Sequence, residues 1–272
     1  MPKYFDTNVI RYLSTGLAGQ RLPQERKARI VLSAISAIEL VSQIAVSPQE
    51  ALDAIHRFEG WLDTDKAILL DWSETFVAEH VFGLEPDVTT FNLLTQVLGV
   101  CYRTDRPNHQ LIADAQRLRE FNENTKTRKA GLFQQAAEGL RRRALSQAQL
   151  RAILPNTIVQ SLRIKYRQEN NTRITDAHIE AGLSAYIEFH ANLVERAVNQ
   201  PDFNFLSRAH LNDLFDAEQL AYLANGDLTF LTADTGYRSV QCSPQRARIH
   251  IANTDDVRDA ARALAFLTTN FH

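Results

Sequence analysis

Short apolar runs alternate along the chain with longer stretches whose apolar residues recur at helical spacing. Lys3 to Ile10, KYFDTNVI, reads as a short buried strand built on Tyr4, Phe5, Val9 and Ile10, with a helix following over Val9 to Ser14. Ile30 to Leu32 resumes the apolar pattern, and the run to Ile44 turns helical, with Ile35, Ile38 and Val41 at helical spacing. Ser47 caps a helix that begins at Pro48 and buries Ala51, Ile55, Phe58 and Leu62. Lys66 to Trp72 predicts a third strand, Ser73 to Val81 a helix, and Val88 to about Val100 another. From about Gln110 to Ala197 the pattern is almost wholly helical, rich in Ala, Leu, Gln, Arg and Glu. Alternation then returns. Asp216 opens a helix ended by Asn225-Gly226, Leu228 to Thr232 and Ala247 to Ala252 are strands, and Asp255 to Leu267 is a closing helix. Such alternation predicts an α/β fold with a mainly parallel central sheet, whose ligands bind at the carboxyl ends of the strands.

Charge changes this picture. The net charge is -2, but Arg103 to Arg173 holds 15 Lys and Arg against 6 Asp and Glu, a surplus of +9 that leaves -11 for the remainder. A positive surface beside an acidic body suits a polyanion, while solvated helix faces account for the same count without a ligand. The basic clusters are Lys126-Thr127-Arg128-Lys129, Arg141-Arg142-Arg143, and Arg163 with Lys165 and Arg167. Phe121, Phe133, Tyr166, Tyr186 and Phe189 stand mostly at spacings that suit a core, which favours phosphate contact over base stacking. No apolar run approaches the roughly 20 residues of a membrane span, so membrane insertion is not expected. MPKYFDTN lacks the pattern of a secretory signal, which makes a cytoplasmic location the default. Cys101 and Cys242 have no zinc-like spacing and read as small core residues, and the His residues as structural or solvated.

Candidate chemistry lies in the acids. Asp6 ends an apolar strand, where an ionised group needs a cation or dense hydrogen bonding. Asp234 follows the Leu228 to Thr232 strand in the same way, and Glu39 and Asp216 follow strands or begin helices. Acids that converge without His or Cys select a hard cation, Mg²⁺ or Mn²⁺. Each acid also has a plainer use, Glu39 and Asp213 on a solvated helix face and Asp216 as a helix cap; Asn8 is balanced between capping the first helix and a polar site role.

FDTN at Phe5 to Asn8, SAISAIEL at Ser33 to Leu40, NDLFDAEQLAYLA at Asn212 to Ala224 and FLTAD at Phe230 to Asp234 together resemble the PIN-domain nucleases, including the VapC-like toxin ribonucleases. That resemblance implies a PIN-like three-layer fold, discontinuous over 1–100 and 206–272, with a basic helical insertion over 101–205. It implies a metal-dependent endonuclease of RNA whose Mg²⁺ or Mn²⁺ ligands and catalytic groups are Asp6, Glu39, Asp216 and Asp234. Asn8, Asp213 and Thr232 fall at further polar positions of the family, and of the close pair Asp213 and Asp216 the second is favoured as the principal ligand, because it opens the helix carrying AEQLAYLA. The insertion is expected to guide RNA through Arg141, Arg142 and Arg143, or else to form an interface between copies of the chain. Single-stranded DNA is a second candidate substrate, and an antitoxin protein a candidate partner. A phosphatase of the haloacid-dehalogenase type fits less well, because Asn8 stands where its DxDxT pattern needs a second Asp. The other alternative is a nuclease-like module that binds nucleic acid or a partner without turnover.

Overall fold

The computed structural model describes residues 3–16, 30–59, 68–85, 92–259 and 262. Five short strands, β1 (Lys3–Phe5), β2 (Ile30–Ser33), β3 (Ile68–Leu70), β4 (Thr229–Thr232) and β5 (Ile249–Ile251), form one sheet in the order β3-β2-β1-β4-β5 with every pairing parallel. A parallel sheet must be covered on both faces, and side-chain alternation shows that it is. Phe5, Leu32 and Leu231 enter one apolar cluster, whereas Tyr4, Val31 and Phe230 enter another on the opposite face.

The first cluster is completed by α1 (Thr7–Gly16), α2 (Ala34–Ser42), α3 (Pro48–Glu59) and α5 (Asn92–Cys101), while α4 (Ser73–His80) packs on the other side. Val9, Ile10 and Leu13 all belong to the buried face of α1, so the apolar residues after Asp6 continue the predicted helix and not the strand. Helix α2 begins where Ser33 Oγ accepts the Ser36 amide at 3.1 Å, and Ser36 Oγ ties the turn to the Phe5 carbonyl at 2.8 Å. That pair of bonds fixes the first turn of α2 against the end of β1.

Three long helices follow: α6 (His109–Arg142), α7 (Gln147–Lys165) and α8 (Asp176–Asn199). Asn108, Ser146 and Thr175 cap them through side-chain oxygens, the middle one as a full capping box with Gln149. Ala130 of α6 and Phe189 and Leu193 of α8 lie in the same cluster as Tyr4 and Phe230, so these helices cover one face of the sheet directly. After them come α9 (Asp213–Gln219), a tighter 3-10 turn over Leu220–Ala224, and α10 (Thr254–Arg258). Helix α9 opens at Asp213 and not at Asp216, because the Asn212 carbonyl already accepts the amides of Phe215 and Asp216 at 2.8 and 2.9 Å. Leu62, Lys66, Ala67, the start of the Val88 helix and the end of the closing helix lie outside the described residues. Cys101 is buried, its thiol pushed up to about 12 by burial, but Cys242 is exposed and so is no core residue. Among the described residues no helix is long and apolar enough to cross a membrane.

Candidate functional site

The chain runs outward from β1 through β2 to β3, then re-enters the sheet on the other side of β1 as β4. Strand direction is common to all, so the order reverses between the carboxyl ends of β1 and β4, the place where an open α/β sheet leaves a crevice. Asp6 and Asp234 are delivered to it. The Asp6 amide extends the β1–β4 ladder by donating to the Leu231 carbonyl at 2.9 Å, and its carboxylate accepts the Thr232 hydroxyl at 2.9 Å. Thr232 Oγ1 in turn accepts the Asp234 amide at 2.9 Å, and Asp234 Oδ1 accepts the Gly236 amide at 2.7 Å. One hydroxyl thus sets the spacing of two acids on neighbouring strands.

The remaining acids come from helices. Glu39, one turn into α2, accepts the Thr7 hydroxyl at 2.6 Å and Lys126 Nζ at 3.0 Å. Lys126 also donates to Asn212 Oδ1 at 3.0 Å, and it is only 5% exposed. Asp213 is held by Arg196 at 2.7 Å and by His210 at 3.0 Å. Among the described residues the Asp216 carboxyl has no hydrogen bond or ion pair, although the Tyr237 hydroxyl donates to its backbone carbonyl at 2.8 Å. The close pair therefore divides: Asp213 is compensated and Asp216 is not.

These carboxyls influence one another electrostatically. Burial, then Glu39 and Asp234, push the Asp6 carboxyl up to about 6 against the donors Thr232 and the Asn8 amide. Burial, then Asp6, Glu39, Asp234 and Asp213, push Asp216 well above the ordinary carboxylate range. Asp213 is also raised, since burial outweighs His210 and Arg196. Asp213, Asp216 and Asp234 line a hollow of about 360 Å³ together with Arg196, Asn192 and Phe189. The cluster is thus reachable from one side.

The donor set is all oxygen, it is crowded with like charge, and it includes a half-buried carboxyl without a partner; by chemistry it fits a hard divalent cation. Among the described residues no three carboxylate, imidazole or thiol groups stand close enough to enclose an ion as they are, so binding requires the acids to draw in.

The structure brings Asp6, Glu39, Asp213, Asp216, Thr232 and Asp234 together and leaves other candidates out. Asn8 lies on the exposed side of the first turn of α1, and the cap is Asp6, whose carboxylate takes the Asn8 amide. Arg141 is a latch: its guanidinium donates to the carbonyls of Ala197, Gln200 and Phe203, which ties α6 to the end of α8. Arg142 and Arg143 are exposed at the end of α6, 16 residues and about 24 Å of helix beyond Lys126. Arg163 is likewise turned inward, onto Asp176 at 2.5 Å and the Gln168 carbonyl at 3.0 Å.

Sequence reasoning missed the inward lysines. Lys126 and Lys129 lie one turn apart on α6 and flank the Phe215 ring at 5.1 and 5.5 Å. Lys129 binds Glu74 at 3.0 Å and Glu218 at 2.8 Å, and the Ser73 hydroxyl also donates to Glu218. The i, i+3 spacing within an amphipathic helix was the available signal, but lysines on a helix are usually solvated. Comparison of the chain with protein-family models, with curated proteins and with solved structures returns no match.

Proposed function

We propose that the carboxylate cluster hydrolyses phosphodiester bonds of RNA with the help of Mg²⁺ or Mn²⁺, on a PIN-like sheet with a basic helical insertion over 101–205. One observation carries this reading: Asp6, Glu39, Asp216 and Asp234, drawn from separate parts of the chain, lie about the switch point of a parallel sheet, where the half-buried Asp216 carboxyl has no counter-charge. Asp6, Asp216 and Asp234 are the residues that would hold the ion, with Glu39 joining them beside Lys126. When bound, the ion lowers the pKa of a water and offsets charge on the phosphoryl oxygens. The chain's own groups do the rest. Thr232 orients Asp6 and the Asp234 backbone, Arg196 beside the hollow faces an approaching phosphate, and Lys126 holds Glu39 in place.

The test is cleavage of a mixed panel of RNA and single-stranded DNA with Mg²⁺, Mn²⁺ or chelator, using wild type beside Asp6→Asn and Asp234→Asn. Metal-dependent cutting that both substitutions abolish supports the reading; cutting at the wild-type rate by either variant removes the assignment. Calorimetric titration with Mn²⁺ adds a readout independent of turnover.

A second reading follows from Lys126. Its ammonium already neutralises Glu39 from inside the fold, as a site that binds nucleic acid or a partner such as an antitoxin without turnover would have it. No Mn²⁺ binding by wild type, together with retained RNA binding, would favour that reading.

A further inference from the structure

The acids about the crevice have two sides. Asp216 and Asp234 line the hollow beside Arg196, whereas Glu39 and Lys126 do not. Lys126 enters from α6, and at 5% exposure its ammonium is fully engaged: it donates to Glu39 Oε1 and to Asn212 Oδ1, both at 3.0 Å, and stands 5.1 Å from the centre of the Phe215 ring. A carboxylate, an amide oxygen and an aromatic face thus surround the three donors of one ammonium. Glu39 is satisfied in turn, because its other oxygen accepts the Thr7 hydroxyl at 2.6 Å. On the opposite side Asp6 and Asp234 hold only a hydroxyl and backbone amides, and the Asp216 carboxyl holds nothing among the described residues.

One side therefore carries its own cation and the other has none. Burying an ammonium is unfavourable unless it is paired, and an apolar side chain of similar length would fill the same space without that cost. A lysine in this place acts through its charge. A hard divalent ion binds oxygen at about 2.1 Å, so one seated on Glu39 Oε1 would stand no more than about 5 Å from Lys126 Nζ, with little water between to screen the repulsion. Lys126 thus closes the Glu39 side to an ion and leaves the Asp6, Asp216 and Asp234 side open to one.

We propose that Lys126 is the resident second cation of the carboxylate cluster: its ammonium holds the place between Glu39 and Asn212, so that the cluster takes one divalent ion, on Asp6, Asp216 and Asp234, and not two. This rests on the reading of the cluster as a Mg²⁺ or Mn²⁺ site and adds the number of ions. Lys126 is a positioning residue, since it is closed off from a substrate and acts through Glu39 and through its fixed charge.

The experiment counts Mn²⁺ on the full chain by titration calorimetry and by low-temperature electron paramagnetic resonance, in which two neighbouring Mn²⁺ ions give a spin-coupled spectrum and a single ion does not. Wild type is expected to bind one ion without spin coupling. Lys126→Met, which keeps the stem and removes the charge, should bind two that are spin-coupled, and adding Glu39→Gln should return the count to one. Glu39→Gln alone keeps an acceptor for Lys126 and should bind one ion within about tenfold of the wild-type affinity. Circular dichroism checks the fold of each; should Lys126→Met not fold, Lys126→Gln, which can still donate to Glu39 without a charge, takes its place with the same expected count. Two ions on wild type, one on the folded Lys126 variant, or loss of the ion in Glu39→Gln overturns the proposal and leaves the nuclease. No ion on wild type overturns it together with the metal-dependent reading. One ion on wild type and two on the Lys126 variant, without RNA cleavage by any form, sustains the role of Lys126 and sinks the nuclease.

Discussion

Replacing Asp6 by Asn should make the protein more stable at neutral pH while removing the activity proposed for it. The Asp6 side chain is 5% exposed, and burial with neighbouring acids brings its carboxyl up to about 6. In the unfolded chain the same group returns to about 3.9. Two pKa units at about 1.4 kcal/mol each mean that the folded state is ~3 kcal/mol less stable at pH 7 for keeping this group ionised. The folded value lies above the unfolded one, so the penalty is complete above pH 6 and fades as pH falls towards 4. Asn keeps an acceptor for Thr232 and Asn8 and carries no charge, so it should recover most of that amount. His190 works in the other direction. Burial depresses its imidazole to about 4, against an unfolded value of about 6.5, so acidification through the same window destabilises the fold by a similar amount. The two nearly cancel in wild type, but His190 is common to both proteins, and the difference between them isolates Asp6. Urea unfolding in chelator should show Asp6→Asn about 2 to 3 kcal/mol more stable near pH 7.5 and only about 1 kcal/mol more stable near pH 4.5. A variant less stable than wild type at neutral pH, or a gap that does not shrink on acidification, would refute the reasoning.

Lys129→Met should destabilise the fold by about 3 to 5 kcal/mol in the same assay, because it strands the buried Glu218, whereas the more exposed Glu74 keeps Lys165 at 2.9 Å. Lys126→Met should cost about 2 kcal/mol by leaving Glu39 unpaired, less than a fully buried pair because the Glu39 side chain is 23% exposed, and the double variant with Glu39→Gln should recover most of it. Arg141→Lys should lower the unfolding midpoint through loss of the carbonyl latch and leave RNA affinity unchanged, whereas Arg142→Glu with Arg143→Glu should spare stability, weaken RNA binding and reduce the salt slope by about one for each phosphate that is no longer neutralised, as salt-dependent anisotropy would read.

The strands and most helices were legible because binary pattern and capping residues agree. Ser47 before Pro48, and the apolar runs at Ile30 and Leu228, give local and tertiary preference no conflict. Two errors of boundary share one cause. At Asp6 and at Asn212 the residue that ends one element also starts the next, and whether a side chain or a carbonyl does so depends on a partner far along the chain. The acids of the site were legible as a set, but not their division of labour, because what distinguishes Asp213 from Asp216 is Arg196 and His210, brought from α8 and the loop before α9. Charge was the least transparent quantity. The basic surplus of 103–173 looked like a surface, yet Lys126, Lys129 and Lys165 join it to acids outside the segment, and Arg151 to Glu195. A count along the sequence cannot tell a solvated cation from one turned inward, since the long methylene stems of Lys and Arg let either orientation satisfy the helical period.

The bond between Asp6 and Thr232 spans 226 positions, and that distance has a bearing on biosynthesis. During translation the first strand emerges early but has no fourth strand beside it, and Asp6 stays solvated at its ordinary acidity. At about 5 to 20 residues per second, roughly 10 to 50 s pass before Asp234 is added. Throughout that interval the nascent chain carries Asp6 and Glu39 without Asp216 and Asp234, and the four acids meet only when the final strands dock.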